Sequence, residues 1–124
     1  MPQESSLIAI VDDDQLLRAS LERLIRSFGY IVETFPAARD FLEFARSDQT
    51  SCLIADIHMP GMTGIELHQQ LLESGRRIPT ILMTAYPDDA VRERALKDGV
   101  RCYLRKPFDD AELLRCVRAA LASP

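Results

Sequence analysis

Leu7-Ile8-Ala9-Ile10-Val11-Asp12-Asp13-Asp14 is the stretch on which the reading of this chain turns. Five apolar residues run without a polar break, as in a strand covered on both faces. The run then stops at three consecutive acids, so carboxylates stand where a buried strand leaves the core. Such a strand needs neighbours of its own kind, and the sequence supplies four more. Tyr30 to Phe35 is β-branched in the middle, and Cys52-Leu53-Ile54-Ala55 ends in Asp56. Thr80 to Thr84 follows Pro79, and Val100 to Leu104 precedes Lys106-Pro107-Phe108.

Helical periodicity fills every interval. Leu17, Leu21, Leu24, Ile25 and Phe28 share one face ahead of Gly29, a helix stop. Pro36 opens a second helix bearing Phe41, Leu42 and Phe44. Pro60, Gly61 and Gly64 mark a loop; Ile65, Leu67, Leu71 and Leu72 then define a third helix that stops at Gly75. Pro87-Asp88-Asp89 starts a fourth, ending near Gly99, and Asp109 with Glu112 fits a capping box for a fifth. Strands joined by helices pair in parallel through right-handed crossovers. The expected fold is α/β, a single domain built on a doubly wound five-stranded parallel sheet.

The bulk properties narrow the function. A net charge of -4 over 124 residues argues against nucleic-acid binding by this chain, because phosphate binding favours basic surfaces. Cys52, Cys102 and Cys116 form no C-x-x-C pair and have no His cluster beside them. They read as reduced thiols of a cytoplasmic protein, with Cys52 and Cys102 as small core residues. The polar start, Met1 to Ser6, and the short run after it fit neither a signal peptide nor a membrane span.

Doubly wound sheets bind ligands outside the carboxyl ends of their strands. Here those ends carry Asp12 and Asp13, Asp56, Thr84 and Lys106. Two like charges about 4 Å apart repel by roughly 4 kcal/mol at an effective dielectric of 20, so such a cluster takes up a proton or a cation. All-oxygen ligands with open positions suit Mg²⁺. Lys106 adds a positive charge and Thr84 a hydroxyl donor, so the set fits an anion beside a metal, such as a phosphoryl group. Asp56 is the better nucleophile, because its strand is central and a Gly-containing loop after it leaves room.

Val11-Asp12-Asp13-Asp14, Asp56-Ile57-His58-Met59-Pro60-Gly61-Met62-Thr63-Gly64, Thr84-Ala85 and Lys106-Pro107-Phe108, in this order, resemble the signature of response-regulator receiver domains of two-component signalling. The likeness runs from Leu7 to about Leu121 and is nearest to receivers of nitrogen-fixation-type transcription regulators. It implies a flavodoxin-like strand order 2-1-3-4-5, one domain over 1–124 with its core at about 7–121, and a linker start at 122–124. It implies that Asp56 takes a phosphoryl group from a sensor histidine kinase. Asp13 would bind Mg²⁺ directly and Asp12 through water, with Asp56 and the backbone carbonyl of His58 completing the protein ligands. Thr84 and Lys106 would contact the phosphoryl oxygens, the bond before Pro107 would be cis, and Tyr103 would be the aromatic switch partner of Thr84. Phosphorylation would then drive homodimerisation or output through the fourth helix, fifth strand and fifth helix. The chain would be a phosphoacceptor rather than an enzyme, with no membrane contact and a possible C-terminal DNA-binding output domain.

The rival from another class is a small Mg²⁺-dependent phosphohydrolase using Asp12 as nucleophile and Asp14 as acid. A flavin module of the same strand order is disfavoured by the acidic edge and the missing Gly/Ser/Thr-rich cradle. Asp14 reads as a helix N-cap, His68 as a solvated mid-helix residue, and Phe41 with Phe44 as core. Leu113, Leu114, Cys116, Val117, Ala120 and Leu121 span roughly 160° of the last helix, wider than the 100° or so that core packing needs, so one edge is free for a partner. Arg92, Arg94, Lys97, Arg101 and Arg105 fit a solvated face or a pairing surface equally. His58 and Tyr86 border the approach to Asp56 and neither readily orients water, which implies slow loss of phosphate.

Overall fold

The computed structural model describes residues 6–44 and 46–122. Its five strands are β1 (Leu7–Val11), β2 (Ile31–Phe35), β3 (Cys52–Asp56), β4 (Thr80–Thr84) and β5 (Cys102–Arg105). The helices are α1 (Gln15–Ser27), α2 (Ala38–Leu42), α3 (Gly64–Glu73), α4 (Asp89–Lys97) and α5 (Asp110–Ala122). All neighbouring strands pair in parallel, in the order β2-β1-β3-β4-β5, so the doubly wound expectation and its strand order are met. β1, β3 and β4 are buried from end to end, as uninterrupted apolar runs require. Two apolar layers flank the sheet. One packs Leu53, Leu82, Leu67 and Phe41 under α2, α3 and α4; the other packs Ile8, Ile54, Ile81, Ile25 and Val117 under α1 and α5.

The helix ends follow their sequence signals. Asp14 caps α1, its side chain accepting from the amides of Leu16 and Leu17. Thr63 and Glu66 close a capping box on α3, and Asp109 and Glu112 another at the start of α5. Boundaries move in three places. Tyr30 precedes β2, and β5 begins two residues after Val100. The second helix is only five residues long, lacks a side-chain cap, and leaves Phe44 beyond its end; a 3₁₀ turn at Ser47–Gln49, not expected from the sequence, follows. Phe44 still packs on Phe35, ring centroids 5.1 Å apart, so its apolar periodicity marked packing rather than helix. Of the linker start expected at 122–124, Ser123 and Pro124 lie outside the described residues, as do Met1 to Ser5.

His68 corrects the sequence reading, since it is buried rather than solvated. It sits on the inner face of α3 in a crevice shared with Ile65, Leu82, Val91 and Asp98. Burial pushes its imidazole below the ordinary value, opposed by the Asp98 carboxylate. The fold therefore prefers neutral His68, and this contribution is complete above the ordinary value near 6.5 and lost as pH falls below it. The unfolding midpoint of wild type is expected to decline on acidification from about pH 6.5 more steeply than that of His68→Gln. Parallel pH profiles for the two proteins would contradict this.

Candidate functional site

The carboxyl ends of β1, β3, β4 and β5 lie side by side, because these four strands are consecutive neighbours in the sheet. That geometry gathers Asp12, Asp13, Asp56, Thr84 and Lys106 from across nearly a hundred residues of sequence. Carboxylate oxygens of Asp12, Asp13 and Asp56 all lie within 4.8 Å of one another. Asp12 and Asp56 are buried, whereas Asp13 is exposed. The cluster thus has a closed side and a side open to solvent.

Lys106 reaches into this cluster. Its Nζ donates to Asp12 Oδ2 at 3.3 Å and to Asp56 Oδ2 at 3.2 Å. The backbone amide of Lys106 donates to the carbonyl of Thr84 at 2.8 Å, which anchors the residue at the end of β4. The Lys106–Pro107 bond is cis. Asp12 Oδ1 accepts from the amide of Asp14 at 2.9 Å, and the Asp12 carbonyl accepts from Arg18 at 2.7 Å. Burial raises the Asp12 carboxyl above its ordinary value; the Asp14 amide and Lys106 oppose the rise, and the Asp56 charge adds to it. One cation between two buried carboxylates therefore leaves Asp12 with a desolvation penalty that a further cation would relieve.

The donor set answers which cation fits. Three carboxylates, one of them exposed, are hard oxygen ligands with room for water, which matches Mg²⁺ better than a softer metal. The residues present therefore fit the metal that the resemblance implied. His58 lies close by through its backbone, its amide donating to Asp56 Oδ1 at 3.3 Å.

Gly64 positions the acceptor, a role that sequence reading missed by treating it only as a loop marker. A Cβ there would stand 2.4 Å from the Asp56 carbonyl oxygen and 3.2 Å from Leu82 Cδ2. The helix α3 can start against β3 only because this position has no side chain. A glycine at the first turn of a helix, an unfavourable place for it, was the available signal.

Thr84 is fully buried, and its hydroxyl accepts from the amide of Tyr86 at 2.9 Å. Tyr103 is half-buried, and its hydroxyl accepts from the amide of Asp88, the N-cap of α4, at 3.2 Å. The rings of His58 and Tyr86 meet edge to face at 5.3 Å. Tyr86 is otherwise 73% exposed. Asp14 is committed to capping α1, so it is unavailable as the acid of a phosphohydrolase.

A family model, the response regulator receiver domain, matches residues 8–118. The chain belongs to the response-regulator receiver family. It is 39% identical over 121 residues to the response regulator protein TodT of Pseudomonas putida, covering 98% of this chain and 53% of the relative. It is 36% identical over 118 residues to the transcriptional regulatory protein FixJ of Azorhizobium caulinodans, covering 95% of this chain and 56% of the relative. The chain thus spans about half the length of the curated relatives it matches. The crystal structure of FixJ-N superposes with a TM-score of 0.87 at 30% identity, covering 97% of this chain and 96% of that one. The response regulator StyR gives a TM-score of 0.87 at 42% identity, covering 94% and 59%. This receiver is therefore part of the two-component class, and the comparisons give no support to the phosphohydrolase alternative. Among the described residues no helix is long and apolar enough to cross a membrane.

Proposed function

We propose that Asp56 accepts a phosphoryl group from the phosphohistidine of a sensor histidine kinase in the cytoplasm. The observation that carries this is the bridging of Asp12 and Asp56 by Lys106 beside the exposed Asp13. Asp56 attacks phosphorus, the bond to the kinase imidazole breaks, and Lys106 turns from the carboxylates to the new phosphoryl oxygens. Asp12, Asp13, Asp56 and the His58 carbonyl would hold Mg²⁺, which when bound neutralises charge developing on the transferred group. Thr84 exchanges its Tyr86 amide partner for a phosphoryl oxygen, to which its hydroxyl donates. An exposed Leu16, beside a hollow lined by Leu17, Ala85, Lys106, Pro107 and Phe108, supports kinase docking next to the site.

Movement of Thr84 would draw Tyr103 inward and release the N-cap of α4 that its hydroxyl now engages. Ala95 alone is buried on α4, with Val91 and Leu96 half-buried, so this helix has little packing to lose. Leu114, Cys116 and Leu121 leave one edge of α5 half-buried, in keeping with a partner surface over α4, β5 and α5. The proposed result is homodimerisation and control of transcription through a C-terminal DNA-binding domain, a reading supported by relatives that are transcriptional regulatory proteins. The 1–124 segment would then be the receiver domain of the whole protein, with its core at about 7–121 and the linker starting at 122–124. Apart from phosphotransfer to itself and slow loss of phosphate, it would have no enzymatic activity.

Two measurements test the metal and the phosphate. Mg²⁺ titration is expected to show a strong loss of affinity in Asp13→Ala and a smaller one in Asp12→Ala, since a direct ligand loses more than one acting through water. Wild-type affinity in Asp13→Ala would overturn the metal assignment. With a small phosphodonor and Mg²⁺, intact mass should rise by one phosphate, and its decay should be slow. Tyr86→Ala and His58→Asn are expected to speed that decay, because a paired ring wall that misplaces the attacking water by about 1 Å costs on the order of 100-fold in rate. Slower decay in His58→Asn would instead identify His58 as a base.

A further inference from the structure

Three thiols belong to one apolar layer. Cys52 in β3 is buried at its centre, while Cys102 in β5 and Cys116 in α5 pack on it from the edge and are only half-buried. The thiol of Cys116 hydrogen-bonds to Cys102 across the contact between β5 and α5. The phosphoryl site uses none of these residues. We propose that Cys102 and Cys116 form a reversible disulfide under peroxide, making this strand–helix contact a redox-modification site.

The surroundings divide the roles. Burial, and then the hydrogen bond to Cys102, push the Cys116 thiol up to about 12, with Arg115 opposing the rise and Glu112 adding to it. Cys116 therefore keeps its proton and resolves, while Cys102, the acceptor of that hydrogen bond, attacks. The reactive and resolving members of a thiol pair differ in this sense. Cys52 takes no part, because it is out of solvent and burial pushes its thiol up further still. In the first step the Cys102 sulfur attacks hydrogen peroxide, the O–O bond breaks, and Cys102 sulfenic acid and one water form. In the second step the Cys116 sulfur displaces hydroxide from that sulfenic acid, the hydroxide takes the Cys116 proton, and the disulfide and a second water result. The two sulfurs lose two electrons and the peroxide gains them. A thiol donor reverses the reaction by exchange.

The link would join β5 to α5, two elements of the surface proposed above for output, but its detection requires no phosphorylation. Failure here would therefore leave the phosphoacceptor reading untouched, and the reverse holds as well. The test treats the reduced, full chain with hydrogen peroxide, counts alkylatable thiols, and maps peptides without reductant. The expected result is that two of the three thiols disappear, that one peptide pair joins Cys102 to Cys116, and that dithiothreitol restores all three. Cys116→Ser should abolish the link and leave a sulfenic acid on Cys102 that a dione probe traps, whereas Cys52→Ser should leave the link intact. Three alkylatable thiols after peroxide in folded protein overturn the proposal, as does a link that runs through Cys52 or between two chains.

Discussion

Asp56→Asn is expected to abolish phosphoryl uptake while leaving the fold intact. The side-chain amide matches the carboxylate in size, and its oxygen can still accept from the backbone amide of His58. What it lacks is the anionic oxygen needed to form an acyl phosphate. The substitution also removes one charge from a cluster in which burial already raises Asp12 and the Asp56 charge adds to that rise. The metal-free variant should therefore be at least as stable as wild type, with an unfolding midpoint that does not fall. Intact mass after exposure to a small phosphodonor and Mg²⁺ gives the readout: one added phosphate in wild type, none in the variant. Phosphate appearing on Asp12 or Asp13 of Asp56→Asn would move the acceptor elsewhere in the cluster and sink the assignment. Full loss of phosphate together with loss of structure would be equally damaging, since it would make Asp56 a structural residue.

The buried strands were the most legible part of the sequence. Leu7 to Val11 and Thr80 to Thr84 are covered on both faces, and a strand so covered must be apolar throughout or nearly so. The same logic located the site, because the first polar residue after such a run stands at the sheet edge. Asp12, Asp56, Thr84 and Lys106 follow from it without any knowledge of contacts. The strand order did not: alternation of strands and helices gives a parallel sheet, but the order 2-1-3-4-5 came from the family likeness. Features that depend on side chains far apart in sequence were illegible. His68 is buried because α4 and Asp98 close over it, and no local pattern in α3 says so. The short α2 illustrates the opposite failure, since Phe41, Leu42 and Phe44 satisfy a helical spacing that only Phe35 and its layer explain. Cys102 was expected in the core and is only half-buried, because β5 is an edge strand.

Gly64→Ala is expected to be the most damaging small substitution near the site, and the reason is steric rather than conformational. Gly64 does not adopt a positive φ, so alanine is permitted by its backbone. The obstacle is the added methyl, 2.4 Å from the Asp56 carbonyl oxygen and 3.0 Å from its carbonyl carbon. Both are backbone atoms of a central strand and cannot swing aside as a side-chain tip could. Either α3 retreats from the sheet, opening the layer around Leu67 and Leu82, or the end of β3 is pushed out of place. The first response costs stability, by about 2–3 kcal/mol on the scale of overpacked cores. The second shifts Asp56 relative to Lys106, and a displacement of about 1 Å is worth on the order of 100-fold in phosphotransfer rate. Gly61→Ala provides the contrast, since Gly61 has φ +75 but nothing lies within 4 Å of where its methyl would stand. Its cost should be confined to backbone strain of about 1–2 kcal/mol, with Asp56 undisturbed. Denaturant unfolding and phosphorylation rates measured on both variants separate the two mechanisms. Gly64→Ala should lose stability and rate together, and Gly61→Ala stability alone. Wild-type phosphorylation in Gly64→Ala would mean that the close approach of α3 to β3 does not position the acceptor.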